Sequence, residues 1–245
     1  MKPTPETCPA AGRPSLAPFA GNLLFLAALF GASLLGMALQ KPVFLLWHRA
    51  QAAASSAADL AQVVWHGLKL DLTVAGYITA LPLLVVLAAV WLPGQWSRRA
   101  LKAYLLVVAS LAAIAFTANL ALYAYWAFPL DSSVLQYLAS PKEALASVTA
   151  GQLLLQLLVA AAAFAVMAWG YGRVLRLYRP ERRPAHRVGN TLGLLLTAGV
   201  LFLPIRGGVS VATANVSKVY FSGRMFLNHA AVNPLFSFLS TLSDG

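Results

Sequence analysis

The chain has 245 residues, of which 60% are hydrophobic and only 10% charged, and its mean hydropathy is +0.72. A soluble domain carries about 25% charged residues, so this composition excludes one and points to a membrane protein. The net charge of +11 and pI near 10.2 would suggest nucleic acid in a soluble chain. Here the basic residues lie between and beside apolar runs, where they set topology, and no nucleic-acid partner is expected.

Residues 1–18 are proline-rich, show no helical period, and read as a disordered tail. Their cysteine, Cys8, is the only one in the chain, so no internal disulfide can form and no metal-site partner exists for it. Phe19 to Leu39 then runs without a charge, long enough to cross roughly 30 Å of hydrocarbon. This first span reads as an uncleaved signal anchor, because it exceeds the usual apolar length of a signal peptide and no A-x-A site follows it.

Lys41 to Leu70 is interrupted by Lys41, His48, Arg49, Asp59, His66 and Lys69 and reads as a linker. Its alanine-rich centre has good helix propensity and could lie along the interface. Trp47 and Trp65 suit a belt at the membrane surface. His48 and His66 have no neighbouring carboxylate pair and read as interfacial rather than metal-binding.

The second span is expected over Asp71 to Leu92, with Asp71 as its N-cap and Pro82 as a kink. A short basic turn follows, containing Arg98, Arg99 and Lys102. The third span, Ala103 to Trp126, carries Asn119, either as interhelical glue or as part of a polar pocket for a lipid head group. Between Phe128 and Ala150, Asp131 can cap one short interfacial helix, and Ser140, Pro141 and Glu143 have the spacing of a capping box for another.

The fourth span, Leu153 to Tyr171, offers Ala160 to Ala163 as a small face for packing. It leads into Arg173 to Arg187, which holds six arginines against one acid, Glu181. The fifth and shortest span, Val188 to Ile205, ends at Pro204. Beyond it, residues 206–245 form a less apolar tail. Leu227, Ala231, Leu235, Phe238 and Leu242 recur there at helical spacing, interrupted at Asn233 and Pro234, and the tail is expected on the membrane surface or against something beyond it.

The expected fold is therefore all-α, a polytopic bundle of five transmembrane helices with short interfacial helices. Eleven Lys and Arg fall on the side of the N-terminal tail and the two basic loops, against seven on the other. The positive-inside rule places the N-terminus in the cytoplasm and the C-terminal tail outside.

Seven acids are scattered along the chain, and HExxH, GxSxG, GxxxxGK[ST] and CxxC motifs are all missing. No serine or threonine has an assignable base and orienting carboxylate. No charged residue or histidine is placed at the middle of a span, which argues against a pump or transporter.

Three stretches carry a resemblance. They are GLKLDLTVAGYITALPLL (Gly67 to Leu84), NLALYAYWAFPLDSSVLQYLASPKEALAS (Asn119 to Ser147) and RGGVSVATANVSKVYFSGRMFLNHAAVNPLFSFLS (Arg206 to Ser240). They resemble the N-terminal membrane region of the lipoteichoic acid synthase and phosphoglycerol transferase family. The resemblance implies five spans in a bacterial cytoplasmic membrane, followed by an extracytoplasmic sulfatase-like domain of the alkaline phosphatase superfamily. In that family a catalytic threonine and a divalent metal reside in the sulfatase-like domain, which would begin after Gly245.

No catalytic or metal residue, and no cofactor, is therefore expected in this chain, which alone would be inactive. Its implied role is to anchor an enzyme that moves phosphoglycerol or a similar head group from a membrane lipid to an envelope glycolipid or glycan. The implied partners are membrane lipids and the sulfatase-like domain, in cis or in trans. Arg206, Arg224, Asn228, His229 and Asn119 are the candidate contacts to a lipid phosphate or to that domain. The alternative is a non-enzymatic scaffold or regulatory module for a separately encoded partner.

Overall fold

The computed structural model describes residues 17–139, 149–180, 186–208 and 213–243. Most of the N-terminal tail and the capping box expected at Ser140, Pro141 and Glu143 lie outside them. Ten α-helices and one 3-10 turn make up the described residues, with no strand among them. Five helical segments are long and apolar enough to cross a membrane, so the all-α membrane bundle is the observed architecture.

Helix α1 (Ala17–Ala38) breaks at Leu39 and resumes at once as α2 (Gln40–Trp47). Pro42 explains the break, because it lacks the N–H that would bond to the carbonyl of Ala38 and its ring crowds that carbonyl. A single turn, α3 (Arg49–Ala52), leads to α4 (Ala57–Trp91). The start of α4 is fixed by a capping box: the Ser56 hydroxyl accepts from the Asp59 amide at 3.1 Å, and the Asp59 carboxylate accepts from the Ser56 amide at 3.0 Å.

Two expectations are corrected here. Residues 41–70 are not a surface linker, since most of their second half continues the helix of the second span, and Asp71 is not its N-cap. Nothing between Ala57 and Leu70 breaks a helix, and Ser56 supplies the earlier start. At about 1.5 Å per residue α4 is roughly 52 Å long, so it projects well beyond the hydrocarbon. Its exposed Trp65 and Trp91 stand about 39 Å apart along the axis, between the roughly 30 Å of the hydrocarbon core and the roughly 40–45 Å of the bilayer with its head-group regions.

Pro82 sits inside α4 and leaves the carbonyl of Ile78 without its helical donor. The Tyr104 hydroxyl of the next helix donates to that carbonyl at 3.0 Å, so the helix continues past the proline. That next helix, α5 (Trp96–Trp126), starts earlier than expected, and Arg98, Arg99 and Lys102 therefore lie in its first turns rather than in a loop. A left-handed Ala127 ends it, and α6 (Val134–Ala139) follows. Asp131 organises the approach to α6 by accepting from the Ser133 amide at 3.0 Å.

The remaining spans are α7 (Ala150–Leu175), capped by Thr149 and Gln152, and α8 (Arg187–Arg206). Helix α4 is central and packs against α1 and α8, while α7 packs against α5 and α1. Leu154, Leu157, Val166, Leu192, Leu196 and Val200 on α7 and α8 are largely exposed, forming an apolar surface suited to lipid. Buried side chains such as Phe25, Leu29, Val86, Leu101 and Leu105 fill the core between the spans.

The tail folds back onto the bundle. After a 3-10 turn at Val216–Val219 come α9 (Met225–Ala231) and α10 (Pro234–Ser243). Helix α9 packs on α2, α3 and α4, and α10 packs on α5 and α4. A second core forms there from Phe44, Val63, Leu70, Leu120, Tyr123, Val219 and Leu227 among others. Leu227, Ala231 and Leu235 of the expected apolar stripe are buried, whereas Leu242 is exposed. The tail is thus a cap on one end of the molecule, packed on its own spans rather than lying free on a surface.

Candidate functional site

The polar centre of the molecule lies under this cap. Lys41, near the start of α2, donates through Nζ to both carboxylate oxygens of Asp71 on α4, at 2.7 and 2.5 Å. The two side chains are 3% and 0% exposed, which makes this a buried ion pair rather than a surface one. The Asn233 amide adds a third bond, donating to Asp71 Oδ1 at 2.8 Å.

Asn233 is also the N-cap of α10. Its side-chain oxygen accepts from the Phe236 amide at 3.1 Å, and Pro234 occupies the first helical position, where a missing N–H does no harm. The same residue therefore ends the break seen in the sequence pattern, starts the last helix and ties the tail to the middle of α4.

Gly67 makes the pair sterically possible. A Cβ at that position would lie 1.9 Å from Lys41 Cε and 2.6 Å from the Ala231 carbonyl oxygen. The absence of a side chain lets Lys41 cross α4 beneath α9. Thr73, two residues beyond Asp71, donates through Oγ1 to the carbonyl of Pro204 at 2.9 Å, so the end of α8 is held at the same level. Asp71 lies roughly 9 Å along the helix from exposed Trp65, placing the pair just inside the aromatic belt.

Beside it is an aromatic and imidazole cluster. The His48 ring packs on Phe44 at 4.6 Å and edge-on to Tyr123 at 5.2 Å. Tyr123 in turn shares a 3.2 Å hydrogen bond with His229 Nδ1. Burial holds both imidazoles below their usual pKa, opposed by hydrogen bonding to the backbone at Leu120 for His48 and at Ala127 for His229. His48 Nε2 is buried without a hydrogen-bond partner among the described residues. His66 stacks on Phe221 at 4.6 Å. Among the described residues, no group of three or more His, Cys, Asp or Glu side chains is placed to hold a metal ion.

The residues singled out from the sequence have separate structural roles. Arg224 clamps the loop before α4, donating to the Ala54 carbonyl at 2.8 Å, the Ser55 hydroxyl at 2.7 Å and the Gln51 carbonyl at 3.2 Å. Asn228 is buried and accepts from the Phe221 and Ser222 amides, both at 2.9 Å, while donating to the Ser222 carbonyl at 2.7 Å. Asn119 is buried on α5 and accepts from the Leu130 amide at 2.9 Å, holding the reversal after Ala127. His229 joins the Tyr123 cluster, and Arg206 is exposed at the end of α8. Arg224, Asn228, His229 and Asn119 thus all build or underlie the cap, and their polar atoms point to protein groups.

Lys41, Asp71 and Asn233 form the buried polar cluster that sequence reasoning did not connect. The available signal was symmetry: Lys41 precedes Trp47 by the same interval at which Asp71 follows Trp65, so two opposite charges sit at equal depth on antiparallel helices.

The opposite end of the molecule is basic. Arg98 donates to the Tyr178 carbonyl at 3.1 Å, and the Tyr178 hydroxyl donates to Ser97 at 2.8 Å. The two arginine-rich segments therefore meet at one end, and the described acids Asp59, Asp71 and Asp131 belong to the cap end.

Fold and site together define a membrane-embedded helical bundle with a polar-anchored cap at one end and a basic surface at the other. No family model, curated protein or solved structure matches the chain.

Proposed function

We propose that this chain is the membrane anchor of an envelope phosphoglycerol transferase of the lipoteichoic acid synthase type, seated in a bacterial cytoplasmic membrane. The basic end faces the cytoplasm and the cap faces outward. The cap is a rigid platform from which a sulfatase-like catalytic domain, in cis or in trans, acts on lipid head groups at the outer leaflet. The chemistry belongs to that domain, including its divalent metal and threonine nucleophile, and this chain supplies position.

The observation that carries the reading is the bond from Asn233 to the Lys41–Asp71 pair. A flexible tether would need no such tie. A buried three-residue polar lock across two spans and the tail fixes the height and orientation of whatever the cap holds. The five spanning helices and the gathering of basic segments at the end opposite the cap support the same assignment.

The test is incorporation of radiolabelled glycerol phosphate from phosphatidylglycerol into envelope glycolipid, measured in cells with and without the gene. Loss on deletion and recovery with the wild-type gene are expected. Unchanged incorporation in the deletion strain contradicts the proposal and favours a non-enzymatic scaffold.

A further inference from the structure

A groove between α5 and α7 opens at the basic end. It encloses about 460 Å³ and has two chemically distinct parts. Its mouth is set by Arg98, Arg99, Lys102 and Arg176, and its wall is built from apolar side chains including Leu105, Leu106 and Ala168. Arg98 is held in place by its bond to the Tyr178 carbonyl at 3.1 Å, which uses one of its five N–H donors. The floor is closed by buried Tyr171, whose hydroxyl shares a 3.2 Å hydrogen bond with Ser33 of α1.

Four cations converge on this mouth, and the described acids are all at the other end of the molecule. Glu181, the acid nearest in sequence, lies outside the described residues. Topogenic charge alone requires only that cations stay on one side of the membrane. It does not require them to ring a groove that continues into the apolar belt. The mouth lies at the level of exposed Trp96 and Trp91, the residues that mark the head-group region at this end. The complementary ligand is an amphiphile with a negative head and an apolar tail.

We propose that this groove binds an anionic phospholipid, its phosphate between Arg99, Lys102 and Arg176 and one acyl chain along Leu105, Leu106 and Ala168. Arg98, pinned by Tyr178, orients the phosphate from below. Basic pockets between transmembrane helices recognise acidic head groups in this way. The assignment does not depend on which leaflet the basic end occupies or on the proposed enzymatic role.

The test uses the full chain purified in mild detergent, with thermal unfolding followed after addition of phosphatidylglycerol, phosphatidylcholine or inorganic phosphate. The variant Arg99→Gln/Lys102→Gln/Arg176→Gln is compared with Arg173→Gln/Arg179→Gln/Arg187→Gln, which removes the same charge from outside the groove. Phosphatidylglycerol is expected to raise the Tm of the wild type and the outer variant. The groove variant should bind it at least about tenfold more weakly, and phosphatidylcholine and phosphate should shift none of the three.

Equal loss in both variants overturns the proposal by showing diffuse attraction to charge. Equal stabilisation by phosphatidylcholine, or full reproduction by phosphate alone, overturns it as well. Should the groove variant not fold, single Lys102→Gln and Arg176→Gln changes at exposed positions are read by native mass spectrometry. Phosphatidylglycerol retention unchanged from wild type in both also overturns it.

Discussion

Lys41 and Asp71 occupy one of the most demanding environments in the chain. Each is buried beside a membrane core, and each is tolerable there because the other is present. Removing one partner of a buried pair leaves an uncompensated charge and costs about 3–5 kcal/mol, whereas replacing both by apolar side chains of similar size is often neutral. Asp71→Leu or Lys41→Met alone should therefore sharply lower the Tm of the purified protein, and the double variant should recover most of the loss. Equal and additive losses would show that the two residues act independently. Asn233 complicates the recovery in an informative way, because the double variant leaves its amide without Asp71 and so should loosen α10 even where Tm is restored.

The imidazoles beneath the cap give a second prediction at this scale. His48 and His229 are held below their ordinary pKa by burial, so the fold favours their neutral forms. The unfolded chain takes up protons as pH falls below about 6.5, before the folded protein does. The stability contributed by the neutral forms is therefore present above that pH and is lost progressively as pH falls toward the depressed folded values. The Tm should fall between pH 7.5 and pH 5.5, and His48→Phe should shrink the fall. A pH-independent Tm over that range would contradict the role given to burial.

At the scale of elements, the Pro82–Tyr104 contact shows how a broken helix is repaired from its neighbour. The Tyr104 hydroxyl donates to the carbonyl that Pro82 leaves open, and its loss should cost about 1 kcal/mol. Tyr104→Phe should destabilise the wild-type chain but have much less effect when Pro82→Ala is also present, since the restored backbone N–H then serves Ile78. A cycle with no coupling in thermal unfolding would contradict this account.

Elements also show what a sequence reveals. The spans were legible because hydropathy over about twenty residues is a strong signal, and Asn233 and Pro234 marked a true boundary, whereas Pro204 lies inside α8, which ends at the left-handed Gly207. The extension of α4 to Ala57 was not recognised, although Ser56 and Asp59 have capping spacing, because scattered charges made the segment resemble a linker. Those charges are accommodated by tertiary contacts: Lys41 by Asp71, Lys69 by the Lys218 carbonyl at 3.3 Å. Pairing across such sequence distances depends on helix register, which periodicity does not supply. The same holds for Arg224, Asn228 and Asn119. Their location at the cap end was readable, but their backbone partners were not.

At the scale of the whole molecule, the two ends divide the work. The basic end collects the arginine-rich segments, and the cap end gathers the tail around Asp71. Orientation links this architecture to the proposed function, because a cap facing the cytoplasm could not serve chemistry at the outer leaflet. The most direct measurement is labelling of single cysteines with a membrane-impermeant maleimide in intact cells, after Cys8→Ser removes the only native thiol. Ser222→Cys, in the cap, should label from outside, and Arg179→Cys, at the basic end, should label only after permeabilisation. The reverse pattern would contradict both the orientation and the role proposed for the cap.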